Sequence, residues 1–333
     1  MSIETFPVTT LGAAAAAVVE KIAPKRKFEA VKIASGAKIA TDGVYDMPIE
    51  FYHDDCCVGP SISSSGLRTI ETKSPAHYWD DSYLNSNRVE QDKEPGHFSL
   101  GRAAHVLLLG EEGFARQFAV RPKEFDSWRT KDAKAWRAEQ IAAGKSVLVP
   151  EDVETIKGIA HSLARDPLIK SGLLNGEVER SIICKDKETG VWLKSRPDAL
   201  PVNADLVVDL KTCTSATAYA TRQSIREYAY HMQLALTGML MREVLGHNIS
   251  DEDYVLVFVE TKRPYCVNVK PIDPSAIYYG RCQVRRAVRK FAECLNKGEW
   301  PGYEDNGLTA SLPKFLTENL EAEIKNGLLP EVA

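Results

Sequence analysis

No stretch of this chain approaches the roughly 20 consecutive apolar residues that a membrane-spanning helix needs. The apolar run at residues 11–19 is mostly alanine and too short, and the start lacks the basic cluster and cleavage pattern of a secretory signal. The chain therefore reads as a cytoplasmic protein with no membrane partner. A cysteine framework is missing as well. The seven cysteines are odd in number and lack tight repeated spacing, which argues against a disulfide scaffold and fits a reducing compartment. Cys56 and Cys57 are adjacent, while Cys266, Cys282 and Cys294 are widely spaced. Neither group has the paired spacing of a zinc site or the spacing usual for an iron–sulfur cluster.

Positive charge is not in excess either. A net charge of −4 excludes a globally basic nucleic-acid binder. It leaves room for a DNA enzyme, because a local basic track can sit on an acidic body and metal-binding carboxylates themselves lower the total. With 44% hydrophobic and 26% charged residues, the 333-residue chain can build a real core in one large domain or two modest ones.

What is present is a change of period along the chain. Ala13–Ala17 and the basic patch Lys25, Arg26, Lys27 suggest a loosely attached start. The expected division is an N-terminal extension over 1–55, one domain over 56–300 and a weakly ordered tail over 301–333. The hydroxyls of Ser61-Ile-Ser-Ser-Ser-Gly-Leu-Arg68 offer caps to a short helix. A second helix should run from Ser99 or Leu100 to Leu109, stopped by Gly110. Polar helices follow near Lys131–Ala143 and Glu151–Ala164, the latter after Pro150.

The pattern then shortens. Val178–Cys184 and Val191–Arg196 flank a turn-rich segment ending in Gly190, which predicts a β-hairpin. Ala204–Leu210 predicts a strand buried on both faces. A helical region strongest over Tyr228–Leu245 follows, then a strand pair at Asp253–Glu260 and Tyr265–Lys270, then a helix from Pro274 to about Lys297. This order predicts an α/β (or α+β) core with a mixed central sheet flanked by helices.

The chemistry concentrates in Arg196-Pro-Asp198 and Val207-Val-Asp209-Leu-Lys211-Thr212. Asp209 and Lys211 lie two apart on a strand, so their side chains share a face. The short connection makes the preceding strand a candidate neighbour, which would bring Asp198 close to Asp209. Two adjacent buried carboxylates repel and need a cation. Mg²⁺ is the expected one, because it takes carboxylate oxygens and keeps waters for a substrate phosphate. The backbone carbonyl of Leu210 could add a ligand. Lys211 could stabilise charge on the phosphate or orient the attacking water. An Asp-x-Lys on a strand end is common, but charges within Leu206-Val-Val-Asp-Leu-Lys211 are expensive to bury without a purpose.

Several ordered pieces now stand together. They are Ser63-Ser-Ser-Gly-Leu67, Ser74-Pro-Ala-His-Tyr78, Gly101-Arg-Ala-Ala-His-Val-Leu-Leu-Leu109, Glu179-Arg-Ser-Ile182, Thr189-Gly190, Lys194-Ser-Arg-Pro-Asp198, Val208-Asp-Leu-Lys-Thr212 and Tyr230-His-Met-Gln233. From about Ser61 to Trp300 the chain resembles the RecE-type exonucleases (exonuclease VIII) of the PD-(D/E)XK nuclease superfamily, including prophage-borne relatives. That resemblance implies a restriction-endonuclease-like core. It makes Asp198 and Asp209 the metal-binding carboxylates, Lys211 the catalytic lysine and His105 a further metal residue; the Gly-Arg-Ala-Ala-His context favours this over a core histidine. Glu179 is a possible additional acidic member, with Glu177 as its competitor. Gln233 matches a glutamine of related recombination nucleases, although Thr237 stands where a tyrosine often follows; otherwise Gln233 is a solvent-facing helix residue. Mn²⁺ could substitute for Mg²⁺. The resemblance also implies 5′-to-3′ degradation of linear double-stranded DNA, a ring-like homo-oligomer and a RecT-type single-strand annealing partner.

For phosphate contact the candidates nearest the chemistry are Arg102, Arg196 and Thr212. Arg281, Arg285 and Arg289 recur every four residues and face either a DNA groove or solvent. Two other readings compete with the exonuclease. One is a structure-specific or single-strand nuclease of the same superfamily. The other is a catalytically idle DNA-binding or phage-assembly module, against which the intact Asp198, Asp209 and Lys211 argue.

Overall fold

Two mixed sheets divide most of the strands between them, and a central helix lies where both can reach it. The computed structural model describes residues 30–34, 36–89, 117–174, 176–178, 180–200, 205–303 and 307–332. Strands β1 (Val31–Lys32), β2 (Gly43–Asp46) and β3 (Ser61–Ser63) come first, with helix α1 (Ile49–His53) between the last two. Helices α2 (Ser64–Thr72) and α3 (Pro75–Asp80) follow, then β4 (Phe118–Val120), α4 (Lys131–Ala142), β5 (Ser146–Leu148), α5 (Pro150–Arg165) and α6 (Pro167–Lys170). The central strands are β6 (Glu177–Val178), β7 (Arg180–Lys185), β8 (Trp192–Ser195), β9 (Ala199–Leu200) and β10 (Val207–Cys213). Helices α7 (Ala218–Glu227) and α8 (Tyr230–Leu245), strands β11 (Tyr254–Glu260) and β12 (Val267–Pro271), and helix α9 (Pro274–Lys297) complete this unit.

Among the described residues the first sheet runs β1-β2-β7-β8-β3 and the second β12-β11-β10-β9-β6, with β4 and β5 paired separately. The period-two alternation of each strand separates its faces. Val44, Ile62, Ile182 and Leu193 of the first sheet share a core with Val207, Leu256 and Phe258 of the second. The intervening residues of β10 and β11, Val208, Leu210, Val257 and Val259, pack instead with Ile156, Ile159 and Leu163 of α5. On the far face of the first sheet, Tyr45, Ile183 and Trp192 meet Tyr52, Cys56 and Cys57.

Helix α8 buries most of its circumference, from Met232 to Met241. Two glycines let it lie close to its neighbours. A Cβ on Gly238 would fall 2.0 Å from the Tyr254 hydroxyl, and one on Gly280 of α9 would fall 2.7 Å from the His231 backbone oxygen. Helix α9 begins where local chemistry dictates. Pro274 occupies its first turn, Asp273 caps it by accepting from Ser275 N–H at 2.8 Å, and Gly298 ends it at φ +67°.

The mixed α/β architecture is the expected one, with three corrections. Residues 31–57 are not a loose extension: β2 pairs antiparallel with β7, and Tyr45, Tyr52 and Cys56 are buried. The expected neighbour of β10 is also different. Strand β8 pairs with β7 and β3 in the first sheet, and the chain crosses to the second sheet at Arg196-Pro197-Asp198, where the short β9 pairs with β10. Residues 301–333, expected as a weakly ordered tail, form a separate unit that carries helix α10 (Lys314–Lys325). The helix expected over Ser99–Leu109 lies outside the described residues, as do residues 1–29.

Candidate active site

Strand β10 places Asp209 and Lys211 on the side facing α8, and Val208 and Leu210 on the side facing α5. Asp209 is 3% exposed, which would be prohibitive for an unmatched carboxylate. It is matched twice. Lys211 Nζ forms an ion pair with Asp209 Oδ2, and Gln233 Nε2 donates to Asp209 Oδ1 at 2.9 Å. Lys211 Nζ also donates to Gln233 Oε1 at 3.1 Å. The three side chains thus close a triangle, two corners from the strand and one from α8.

The ammonium of Lys211 sits 4.6 Å from the ring centroid of Tyr230, one helical turn before Gln233. Burial disfavours its charge, but Asp209 and Asp198 outweigh burial and hold the Lys211 pKa above the ordinary lysine value. Asp198 arrives from the crossing segment and accepts from Leu210 N–H at 2.7 Å. Asp198 thus meets β10 at Leu210, the residue after Asp209, from the segment leading into β9 rather than from β8.

Thr237 stands one helical turn after Gln233 on α8. Its hydroxyl donates to the Gln233 carbonyl at 3.0 Å and lies 2.7 Å from Ser195 Oγ, tying α8 to the end of β8. A cavity of about 530 Å³ opens beside the triangle and is lined by Ser64, Arg68, Arg196, Asp198 and Gln233.

Other expected participants fall elsewhere. Strand alternation sets Thr212 on the face of β10 opposite Lys211, the face on which Leu210 packs with α5. Arg196 does line the cavity, but its Nη1 donates to Met47 O at 3.0 Å and to Ser181 Oγ at 3.1 Å. Arg281 pairs with Asp251, Arg285 with Asp186, and Arg289 with Glu188. That stripe is an intramolecular ion-pair network rather than an array of unengaged cations. Glu177 sits in β6 and pairs with Arg180 at 3.1 Å. His105, Arg102 and Glu179 lie outside the described residues.

Arg68 was missed. Its Nη1 donates to the Tyr228 carbonyl at 2.6 Å, and burial lowers its pKa while Asp209 and Tyr230 pull it upward. No local pattern marks Arg68: beyond the Ser64 carbonyl one helical turn back, the groups it meets, Asp209, Tyr228 and Tyr230, lie far along the chain.

The donor types suit a hard divalent cation: the Asp198 and Asp209 carboxylates and the backbone carbonyl of Leu210, which follows Asp209 in the strand. Among the described residues there is no group of three or more His, Cys, Asp or Glu side chains able to hold an ion. The aspartate pair would therefore need a further donor.

Mixed sheets flanked by helices fit the PD-(D/E)XK superfamily, whose nucleases generally use divalent metals. Residues 63–308 match the family described as "PDDEXK-like domain of unknown function (DUF3799)", and the chain belongs to that family. A solved structure from Eubacterium rectale, described as a "Putative exonuclease", is similar to it with a TM-score of 0.46 and 13% identity, covering 78% of this chain and 92% of that one. None of the curated proteins matches the chain.

Proposed function

We propose that this chain is a divalent-metal-dependent exonuclease of the RecE type that hydrolyses linear double-stranded DNA. The observation that carries the reading is the closed triangle of Asp209, Lys211 and Gln233, with the Asp198 carboxylate anchored on the amide of Leu210. In this reading Asp198 and Asp209 hold the metal, with the Leu210 carbonyl and His105 as further donors. Bound Mg²⁺, or Mn²⁺ in its place, supplies an activated water and neutralises charge on the phosphate. Lys211, kept charged by its carboxylate neighbours, stabilises the negative charge developing on the phosphoryl oxygens. Gln233 orients Lys211 and Asp209 together. Arg102 contacts the DNA backbone. Arg196, engaged with Met47 and Ser181, shapes the wall of the cavity.

The same reading extends to 5′-to-3′ polarity, a homo-oligomer encircling DNA and cooperation with a RecT-type annealing protein in recombination. Digestion of end-labelled duplex with and without Mg²⁺, beside Asp209→Ala and Lys211→Ala, is the primary test. Magnesium-dependent loss of linear duplex that both variants abolish is expected; unchanged activity in both would sink the mechanism. Parallel reactions on circular, flapped and single-stranded DNA separate the exonuclease from a structure-specific or single-strand nuclease. Label position reports the polarity.

A further inference from the structure

Between α7 and α8 the chain passes through Ala229 at φ +48°, the left-handed region that an L-residue with a Cβ adopts only at a cost. Ala229 is buried, and nothing about its own side chain requires that conformation. Its effect lies in its two neighbours. The reversal brings the rings of Tyr228 and Tyr230 onto one another, 5.4 Å between centroids and 26° from parallel. Residues two apart on a regular helix do not face each other, so this stack depends on the turn at Ala229.

The stack leads outward from the chemistry. Tyr230 is its inner member, under the Lys211 ammonium and beside Phe258 at 6.4 Å. Tyr228 is its outer member and is 51% exposed. Arg68, reaching from α2, fixes the ledge by donating to the Tyr228 carbonyl and sets a guanidinium beside it. A broad aromatic face open to solvent, a cation at its edge and Lys211 at its inner end form a combination that suits an aromatic base attached to a phosphate.

We infer that Tyr228 and Tyr230 form a stacking ledge for a nucleobase near the scissile phosphate, with Arg68 contacting that nucleotide's backbone. The inference rests on the nuclease reading and deepens it: the strand entering the site carries an unpaired base at this position. Stacking accepts any base, so the ledge contributes affinity and position without sequence preference. It calls for the terminal base pair to open before hydrolysis.

The test uses the full chain in EDTA and a DNA duplex whose end carries the fluorescent base 2-aminopurine. Wild-type protein should quench the fluorescence on binding. Tyr228→Ala should lose the quenching and bind about tenfold more weakly. Tyr228→Phe and Tyr228→Trp should keep both, which rules out misfolding as the cause. Tyr278→Ala, an equally exposed tyrosine on α9, serves as the surface control. Wild-type binding by Tyr228→Ala, or an equal loss in Tyr278→Ala, overturns the ledge. So does a Tyr228→Ala that changes oligomeric state and leaves DNA binding intact, since the ledge would then belong to a protein interface. The two readings fail separately. A protein that quenches and binds but never hydrolyses DNA with Mg²⁺ retains the ledge and loses the nuclease. One that hydrolyses DNA unaffected by Tyr228→Ala retains the nuclease and loses the ledge.

Discussion

Gln233 and Asp209 meet in only one chemically allowed orientation. Asp209 can only accept and Lys211 can only donate, so the amide must turn its nitrogen to the carboxylate, at 2.9 Å, and its oxygen to the ammonium, at 3.1 Å. Glutamine is the side chain that serves both partners at once; glutamate would set a second negative charge against Asp209. Gln233→Ala is accordingly expected to lower the rate of DNA hydrolysis about 10- to 100-fold, as loss of an orienting partner usually does. Gln233→Glu should fall further at low Mg²⁺ and recover in part as Mg²⁺ is raised. Wild-type activity in Gln233→Ala would remove the residue from the site.

Gly280 controls how closely α9 approaches the start of α8. Because a Cβ there would meet the His231 carbonyl at 2.7 Å, and backbone cannot swing aside as a side chain can, Gly280→Ala must push the helices apart. Overpacking of this kind costs about 1–3 kcal/mol. A lower Tm and reduced hydrolysis are expected together, since His231 is two residues from Gln233. An unchanged melting curve would contradict the close packing.

The arginine stripe of α9 should matter to folding more than to DNA. Asp186 is buried, which by itself would raise its pKa, yet hydrogen bonds from Thr189 and Arg285 hold the carboxyl below its ordinary value. A depressed pKa contributes stability that is present above the ordinary aspartate range and lost as pH falls through the lowered folded-state value. Arg285→Ala should therefore cost about 2 kcal/mol at neutral pH. The gap from wild type should stay flat above about pH 5 and close under more acidic conditions. Urea titrations across pH measure it. A large loss of DNA affinity with unchanged stability would return Arg285 to the binding surface.

The first sheet needs residues 31–57. A chain starting at residue 58 would leave β7 without its β2 neighbour and Lys194 without the Tyr52 carbonyl that accepts from it at 2.6 Å. Such a chain is expected to aggregate or to lose cooperative unfolding. Soluble, cooperatively melting protein from that truncation would restore the boundary near residue 55.

On the site itself, Thr212→Val should retain hydrolysis within about twofold, because its side chain stands on the far face of β10. Asp198→Ala should abolish it. Equal losses in the two would show that Thr212 reaches the DNA after all.

How much of this was legible depends on how local each feature is. The hairpin of β7 and β8, the helices starting at Pro150 and Pro274, and the common face of Asp209 and Lys211 all follow from periods of two or 3.6 and from nearby proline. The separation into two sheets does not, because it is decided by distant pairings such as β3 lying parallel to β8, from Ser61↔Trp192 to Ser63↔Lys194. Strand β9 has two residues and therefore no period to detect. Residues 31–46 show no sustained period, and distant pairings give them a place: Gly43–Asp46 lie along β7, and Ile39 bridges to Cys57. Arg285 reaches Asp186 and Arg68 reaches the Tyr228 carbonyl across 99 and 160 residues, so their sequence surroundings carry no trace of these bonds.

The crossing at Arg196-Pro197-Asp198 has a consequence for motion. Arg196 is fastened to Met47, just past β2, and to Ser181 of β7, while Asp198, two residues on, is fastened to the Leu210 amide in the second sheet. This segment works as a stitch between two plates. Any sliding of one sheet past the other must first tear the Leu210 hydrogen bond, so the exchange rate of that single amide proton is a built-in gauge of shear between the sheets.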